Sequence, residues 1–209
     1  MKQMRPKILF LVMVLSLSSL LGVIRAQDAA EKQVDILYWR AVSILNPYLS
    51  GGTKDLDAAH LILEPLANIA PDGSLVPVLA ADIPTLENGG VSEDLTQITW
   101  TLKEGVVWSD GTPLTANDVV FTWEYCAHPD GGCSSPQYAD VASVEAVSDT
   151  EVLITYSIPK PFPYNAFVGS QGVVLQQAQF ADCLGEAAAQ CTEANFSPIG
   201  TGPFVVEDF

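Results

Sequence analysis

Hydrophobic and polar residues alternate most cleanly over residues 97–103, where Ile98, Trp100 and Leu102 point one way and Thr99, Thr101 and Lys103 the other. Successive side chains of a strand face opposite sides, so this pattern predicts a half-buried strand. Lys103-Glu104-Gly105 predicts a turn back into Val106-Val107-Trp108, a first hairpin, and Ser109-Asp110-Gly111-Thr112 predicts the next turn. A second hairpin is expected from residues 141–147 and 151–158, joined at Ser148-Asp149-Thr150, with Val152, Ile154, Tyr156 and Ile158 on its buried side. Helical spacing appears over residues 55–63, with Leu56, Ala59, Leu61 and Leu63 apolar and Asp57 and His60 between them. It appears again after Thr115, through Val119, Val120, Trp123 and Cys126. Thr115 and Asp118 stand three apart, the spacing of a capping box that starts a helix. Residues 34–39 and 204–206 each read as a strand, and Pro71-Asp72-Gly73 as a turn. Strands alternating with short helices predict a mixed α/β fold.

The first 26 residues carry a different pattern. A basic start (Lys2, Arg5, Lys7) precedes an apolar run over residues 8–23, broken only by Ser16, Ser18, Ser19 and Gly22. The run is shorter than the ~20 residues that cross a bilayer core. Ile24-Arg25-Ala26 then offers a small residue for cleavage, so residues 1–26 are expected to be a signal peptide cut after Ala26, with an uncleaved anchor as the alternative. The next cysteine is Cys126, so no lipid-anchor cysteine is expected. Residues 27–209 then suffice for one domain with a sizeable core.

Removing the leader takes four of nine basic residues and none of the 25 acidic ones, leaving 5 − 25 = −20. So acidic a chain repels phosphate backbones, and no nucleic-acid partner is expected. Four cysteines, Cys126, Cys133, Cys183 and Cys191, follow the leader, and an even count in an exported chain suggests disulfides. Three connectivities are open; the local pairs Cys126/Cys133 and Cys183/Cys191 are favoured because each closes a small loop of turn formers or small residues. A metal site from Cys126, His128 and Cys133 is the competing reading, weakened by the lack of a clear fourth ligand. No Gly-x-Ser-x-Gly elbow or metal-ligand spacing marks a catalytic site, and His60 and His128, the only histidines, have no obvious partner. The chain is therefore read as a non-enzyme without a cofactor, a secreted hydrolase being the remote alternative. Trp39, Trp100, Trp108 and Trp123 are assigned to core packing.

One run is specific beyond composition: Gly105-Val106-Val107-Trp108-Ser109-Asp110-Gly111-Thr112-Pro113-Leu114-Thr115-Ala116-Asn117-Asp118-Val119-Val120-Phe121-Thr122-Trp123. It closely resembles the signature of extracytoplasmic solute-binding proteins of family 5, the peptide-, dipeptide- and nickel-binding components of ABC transporters. Ser43-Ile44-Leu45-Asn46-Pro47-Tyr48 agrees in order with that family. So do Glu64-Pro65-Leu66 through Asp72-Gly73-Ser74-Leu75-Val76-Pro77-Val78-Leu79-Ala80, and Pro198-Ile199-Gly200-Thr201-Gly202-Pro203-Phe204. The motifs themselves are read as specifying fold: Asp110-Gly111 for a tight turn, Thr115 for a cap, Gly200 and Gly202 for passage through a crowded place.

The resemblance implies a periplasmic-binding-protein-like fold (type II, the class with an extra N-terminal subdomain), of which this chain is a partial first lobe with mixed β-sheet and hairpins. It implies an extracytoplasmic, monomeric protein that captures a peptide or other small solute and hands it to a membrane permease and its ATPase; sensing and peptide chaperoning are roles open to the same fold. Cleft-facing segments carried over from the family fall at Asp55 and Leu56, at Ser134 and Ser135 after the Cys126–Cys133 loop, and at Gly169, Ser170 and Gln171. Nickel-binding members place basic and aromatic side chains near the last two of these. This chain has neither there, and its small polar residues suit main-chain hydrogen bonds to a peptide or sugar better.

Overall fold

The structure, a computed structural model, describes residues 34–131, 133 and 136–209, and residues 38–209 form one unit. The expected signal peptide lies outside the described residues. Helix α1 (Thr53–Ala59) starts two residues earlier than its apolar spacing suggested and ends at His60, with Leu63 buried by the turns that follow. Strands β1 (Ala67–Ile69) and β2 (Leu75–Pro77) pair antiparallel around the Pro71-Asp72-Gly73 turn, where Gly73 takes φ +86°.

The alternating segment becomes β3 (Gln97–Thr101), with Ile98 and Trp100 buried. Helix α2 (Ala116–Ala127) follows, and the second expected hairpin forms as β4 (Val141–Ala146) and β5 (Glu151–Tyr156). These strands make an antiparallel sheet in the order β3-β5-β4. Its register sets Ile98 opposite Ile154, Trp100 opposite Val152 and Val144 opposite Ile154, so one face is continuously apolar. Helix α2 covers β4 and β5, burying Val119, Phe121 and Tyr125. The chain closes with short helices α3 (Gln177–Phe180) and α4 (Thr192–Phe196), which flank a 3-10 turn at Gly185–Gln190. The architecture is the expected α/β lobe with hairpins, its parallel component confined to a bridge between Ala67 and Val168.

Several local expectations are corrected. Val106-Val107-Trp108 does not return along β3. Gly105, at φ +73°, redirects the chain so that Leu114 N–H donates to Val106 O and Trp108 N–H to Thr112 O, and the edge of β3 pairs with β5 instead. Residues 34–39 and 204–206 form no strand, because among the described residues neither segment meets a neighbour with which to build a ladder. Trp39 is accordingly 74 % exposed, whereas Trp100 and Trp108 are core residues. Ile158 is exposed because β5 ends at Tyr156.

A buried polar network holds the segments together. Asn46 Nδ2 donates to Tyr125 OH at 3.0 Å and to Asn195 Oδ1 at 2.8 Å, while Asn46 Oδ1 accepts from Tyr48 N–H. Asn195 O in turn accepts from the N–H groups of Leu45 and Asn46. Tyr48 OH reaches the Val173 carbonyl at 2.5 Å and lies 2.9 Å from Tyr138 OH. Burial pushes the Tyr48 and Tyr138 hydroxyls well above the ordinary phenol value, keeping them neutral.

Gly200 and Gly202 run against the turns that follow α1. A Cβ at Gly200 would stand 1.9 Å from the Ile62 carbonyl oxygen, and one at Gly202 would stand 2.7 Å from the same atom. Gly202 N–H donates to that oxygen at 2.8 Å, so the close approach is itself a hydrogen-bonded contact. Gly200→Ala is expected to destabilise the protein by at least ~2 kcal/mol, the cost of forced overpacking. Gly51→Ala, with nothing within 4 Å, should stay within ~0.5 kcal/mol. Urea unfolding midpoints of the two variants check the contrast, and equal effects would contradict it.

Candidate functional site

The first candidate segment sits on α1. Asp55 is 3 % exposed, and its carboxylate is taken up by the preceding loop. Oδ1 accepts from Ser43 N–H at 2.8 Å, Oδ2 from Ser50 Oγ–H at 2.7 Å, and Lys54 forms an ion pair with it. Burial pushes the Asp55 pKa up, but the Lys54 and Ser43 hydrogen bonds, with that of Ser50, outweigh it and hold the carboxyl at about 2. The side chain thus staples residues 43–50 to the helix, and the half-buried Leu56 stands beside it. That staple left no signal in the sequence, since serines twelve before and five before an aspartate make no recognisable motif.

Gly169-Ser170-Gln171-Gly172 forms a tight turn, closed by Gly172 N–H donating to Gly169 O at 2.9 Å. Gly169 takes φ +72°, and a Cβ at Gly172 would come within 2.2 Å of Val168 N, so both glycines are demanded by the backbone. Bridges from Pro65 to Val173 and from Ala67 to Val168 fix its two arms against the segment after α1. Ser170 is exposed, and Gly169 and Gln171 are half-exposed. His60, at the end of α1, lies against the backbone of Gly169 and Ser170. The structure thereby puts Asp55 and the turn near opposite ends of α1, whose five-residue step from Asp55 to His60 rises about 7.5 Å.

Ser134 and Ser135 lie outside the described residues. The loop before them is closed by a disulfide between Cys126 and Cys133, and a second joins Cys183 to Cys191. With both sulfurs so used, the Cys126/His128/Cys133 metal reading is overturned. Among the described residues no group of three metal-ligating side chains assembles. The two disulfide loops touch: a Cβ at Gly131 would meet Gly185 O at 2.6 Å, and one at Gly185 would meet the His128 ring.

The Trp108-to-Trp123 run is occupied with the fold. Asp110 Oδ1 accepts from Thr112 N–H and Oγ–H, and its Oδ2 from Gln176 Nε2. Those contacts, Thr112 first, pull the Asp110 carboxyl below its ordinary value. Asp118 Oδ2 accepts from Thr115 N–H and its Oδ1 from Gln177 N–H, while Thr122 Oγ accepts from Leu175 N–H. The cap was legible from spacing; the link to Gln176 and Gln177 was not. A surface hollow of about 370 Å³ bordered by Asp82, Asn88, Thr99 and Glu151 lies elsewhere, and none of the candidate contacts lines it.

Residues 74–209 match the bacterial extracellular solute-binding proteins, family 5 (Middle), and the chain belongs to that family. It is 28 % identical over 190 residues to the dipeptide-binding protein of Lactococcus lactis, covering 83 % of this chain and 33 % of the relative. In structure it is similar to the oligopeptide-binding protein AppA of Bacillus subtilis in complex with a nonapeptide, with a TM-score of 0.70 and 25 % identity over 80 % of this chain and 32 % of AppA. It is similar also to NikZ of Campylobacter jejuni in complex with Ni(L-His), at a TM-score of 0.66 and 25 % identity over 81 % of this chain and 32 % of NikZ. The chain spans about a third of the length of these proteins.

The depressed Asp55 pKa gives a pH signature. A carboxylate whose folded pKa lies below the unfolded value stabilises the fold above the unfolded pKa, and that contribution is lost as pH falls through the folded one. A drop from 3.8 to about 2 corresponds to about 2 kcal/mol. Asp55→Asn should therefore lower stability at pH 7 by about that amount, with the two proteins converging as pH falls from 4 towards 2 in urea titrations. A gap independent of pH would refute the assignment.

Proposed function

We propose that this chain is part of the solute-capture component of an ABC importer, working outside the cytoplasm as a monomer that takes up peptides and presents them to a membrane permease and its ATPase. The observation that carries this reading is the family match over residues 74–209, joined to a backbone likeness that spans four-fifths of the chain. The similarity to proteins named for binding a dipeptide and a nonapeptide points to the cargo class. Two disulfides suit an oxidising compartment outside the cytoplasm.

The turn at Gly169–Gly172 supports peptide over a nickel chelate. It offers exposed backbone and a serine hydroxyl, groups that hydrogen-bond an extended peptide. It carries no basic or aromatic side chain to hold an anionic chelate. With a third of its relatives' length, the chain supplies one wall of such a cleft, so the whole protein is what should bind.

A ligand held only by the native state stabilises it by mass action, about 2.7 kcal/mol at a hundred times its Kd. Melting the whole protein with di- and oligopeptides, oligosaccharides and a nickel–histidine chelate should raise the transition with peptides and leave it unchanged with the chelate. A flat response to every compound would sink the capture reading, and a response to the chelate alone would reverse the choice of cargo.

A further inference from the structure

Asn88 is the one asparagine of the chain that a glycine follows. That pairing is chemically labile, because Gly89 has no Cβ to keep its nitrogen from the Asn88 amide carbon. Both residues are exposed, and Gly89 takes φ +76°. The fold nevertheless occupies both polar atoms of the Asn88 side chain. Oδ1 accepts from Thr85 N–H at 2.7 Å and from Gly90 N–H at 3.0 Å, while Nδ2 donates to Ile83 O at 2.9 Å. Asn88 N–H donates to Thr85 Oγ at 3.1 Å and Gly89 N–H to Leu86 O at 3.3 Å, so residues 83–90 are folded onto one side chain. This loop covers the edge of β3 that faces away from β5. Thr99 N–H donates to Gly90 O at 2.8 Å, and Val91 bridges Ile98. Tyr164 OH anchors the loop by donating to Pro84 O at 2.7 Å, with its ring edge-on to the buried Trp100.

From this arrangement we propose that Asn88 is a modification site: it locks the 83–90 loop over the edge of β3, and spontaneous deamidation through Gly89 opens that lock for good. The Gly89 nitrogen bonds to Asn88 Cγ as it gives up its proton. The Cγ–Nδ2 bond breaks, and Nδ2 leaves as ammonia with that proton added. Solvent water then opens the cyclic imide. Breaking the new bond to Cγ yields aspartate; breaking the original peptide bond to Gly89 yields isoaspartate. Nothing is oxidised or reduced, and water is the only co-reactant.

The closed loop resists this reaction. Attack requires the amide to turn its face to the Gly89 nitrogen, while three hydrogen bonds hold the amide and a fourth holds that nitrogen. Deamidation therefore proceeds from local openings of the loop. Neither product can close it again. Aspartate sets an oxygen where Nδ2 faced Ile83 O, acceptor against acceptor, and isoaspartate adds a carbon to the main chain inside the turn. The new carboxylate also enters a hollow already bordered by Asp82 and Glu151, and the like charges repel. With the loop displaced, the outward N–H and C=O groups of β3 form an open edge, a template for pairing with another chain.

The test needs no cargo. The unaltered full chain is held at pH 8, both folded and in guanidinium chloride, and peptide mapping separates the asparagine, aspartate and isoaspartate forms at position 88 over time. The expected result is conversion in the unfolded chain and conversion about tenfold slower, or slower still, in the folded one. No conversion in the unfolded chain would overturn the site, and equal rates would overturn the lock, both without any variant. Asn88→Asp, the simpler product, should then exchange the Thr99 amide hydrogen at least several-fold faster than the unaltered protein. Thr99 protected equally in both would overturn the link between Asn88 and the edge of β3.

Discussion

Everything in the unit turns on the side chain of Asn46, an amide with no exposure to solvent, one partner close by at Tyr48 and two drawn from distant parts of the chain. Its partners Tyr125 and Asn195 lie 79 and 149 residues away, so one amide ties the N-terminal loop to the long helix and to the last helix. Because the groups are neutral, they avoid the desolvation penalty of a buried ion pair. Losing any one member strands its partners without hydrogen bonds, at roughly 1–3 kcal/mol each. Tyr48 extends the same network to Tyr138 and the Val173 carbonyl, bringing it to the base of the glycine turn. The turn's position is thus a consequence of the core.

A second constraint lies between the family signature and a stretch some sixty residues later. Asp110, Asp118 and Thr122 spend their oxygens on Gln176, Gln177 and Leu175, so the signature is a docking plate for residues 175–177. Such a run can stay the same in similar proteins that hold ligands as different as a nonapeptide and a nickel–histidine complex. It specifies how the lobe closes on itself. The close approach of Gly200 and Gly202 to the Ile62 carbonyl belongs to the same framework, holding the last strand-like segment against the turns that follow α1.

The candidate contacts divide by chemistry. Asp55, the one carboxylate among them, has its oxygens filled by Ser43, Ser50 and Lys54 and serves to shape the surface around α1. The Gly169–Gly172 turn keeps exposed backbone and a free-standing serine at the surface, as a site for main-chain recognition would. Two disulfide-closed loops pack on each other beyond the end of α2, a local reinforcement of chain that carries little regular structure.

What the sequence determined by itself was whatever depends on near neighbours. The alternation through Ile98 and Trp100, the Thr115–Asp118 cap, the second hairpin, the turn at Asp110-Gly111 and the need for glycine at 200 and 202 were all readable, since each rests on residues a few positions apart or on a motif kept in order. Only the tertiary structure decided that β3 pairs with β5 and not with Val106-Val107-Trp108, that residues 34–39 and 204–206 form no strand, and that Asp55 faces serines and a lysine. It alone set His60 beneath the glycine turn. Those outcomes depend on contacts between segments up to about a hundred residues apart, and a strand or a buried polar atom has no identity until the partner that satisfies its hydrogen bonds is in place.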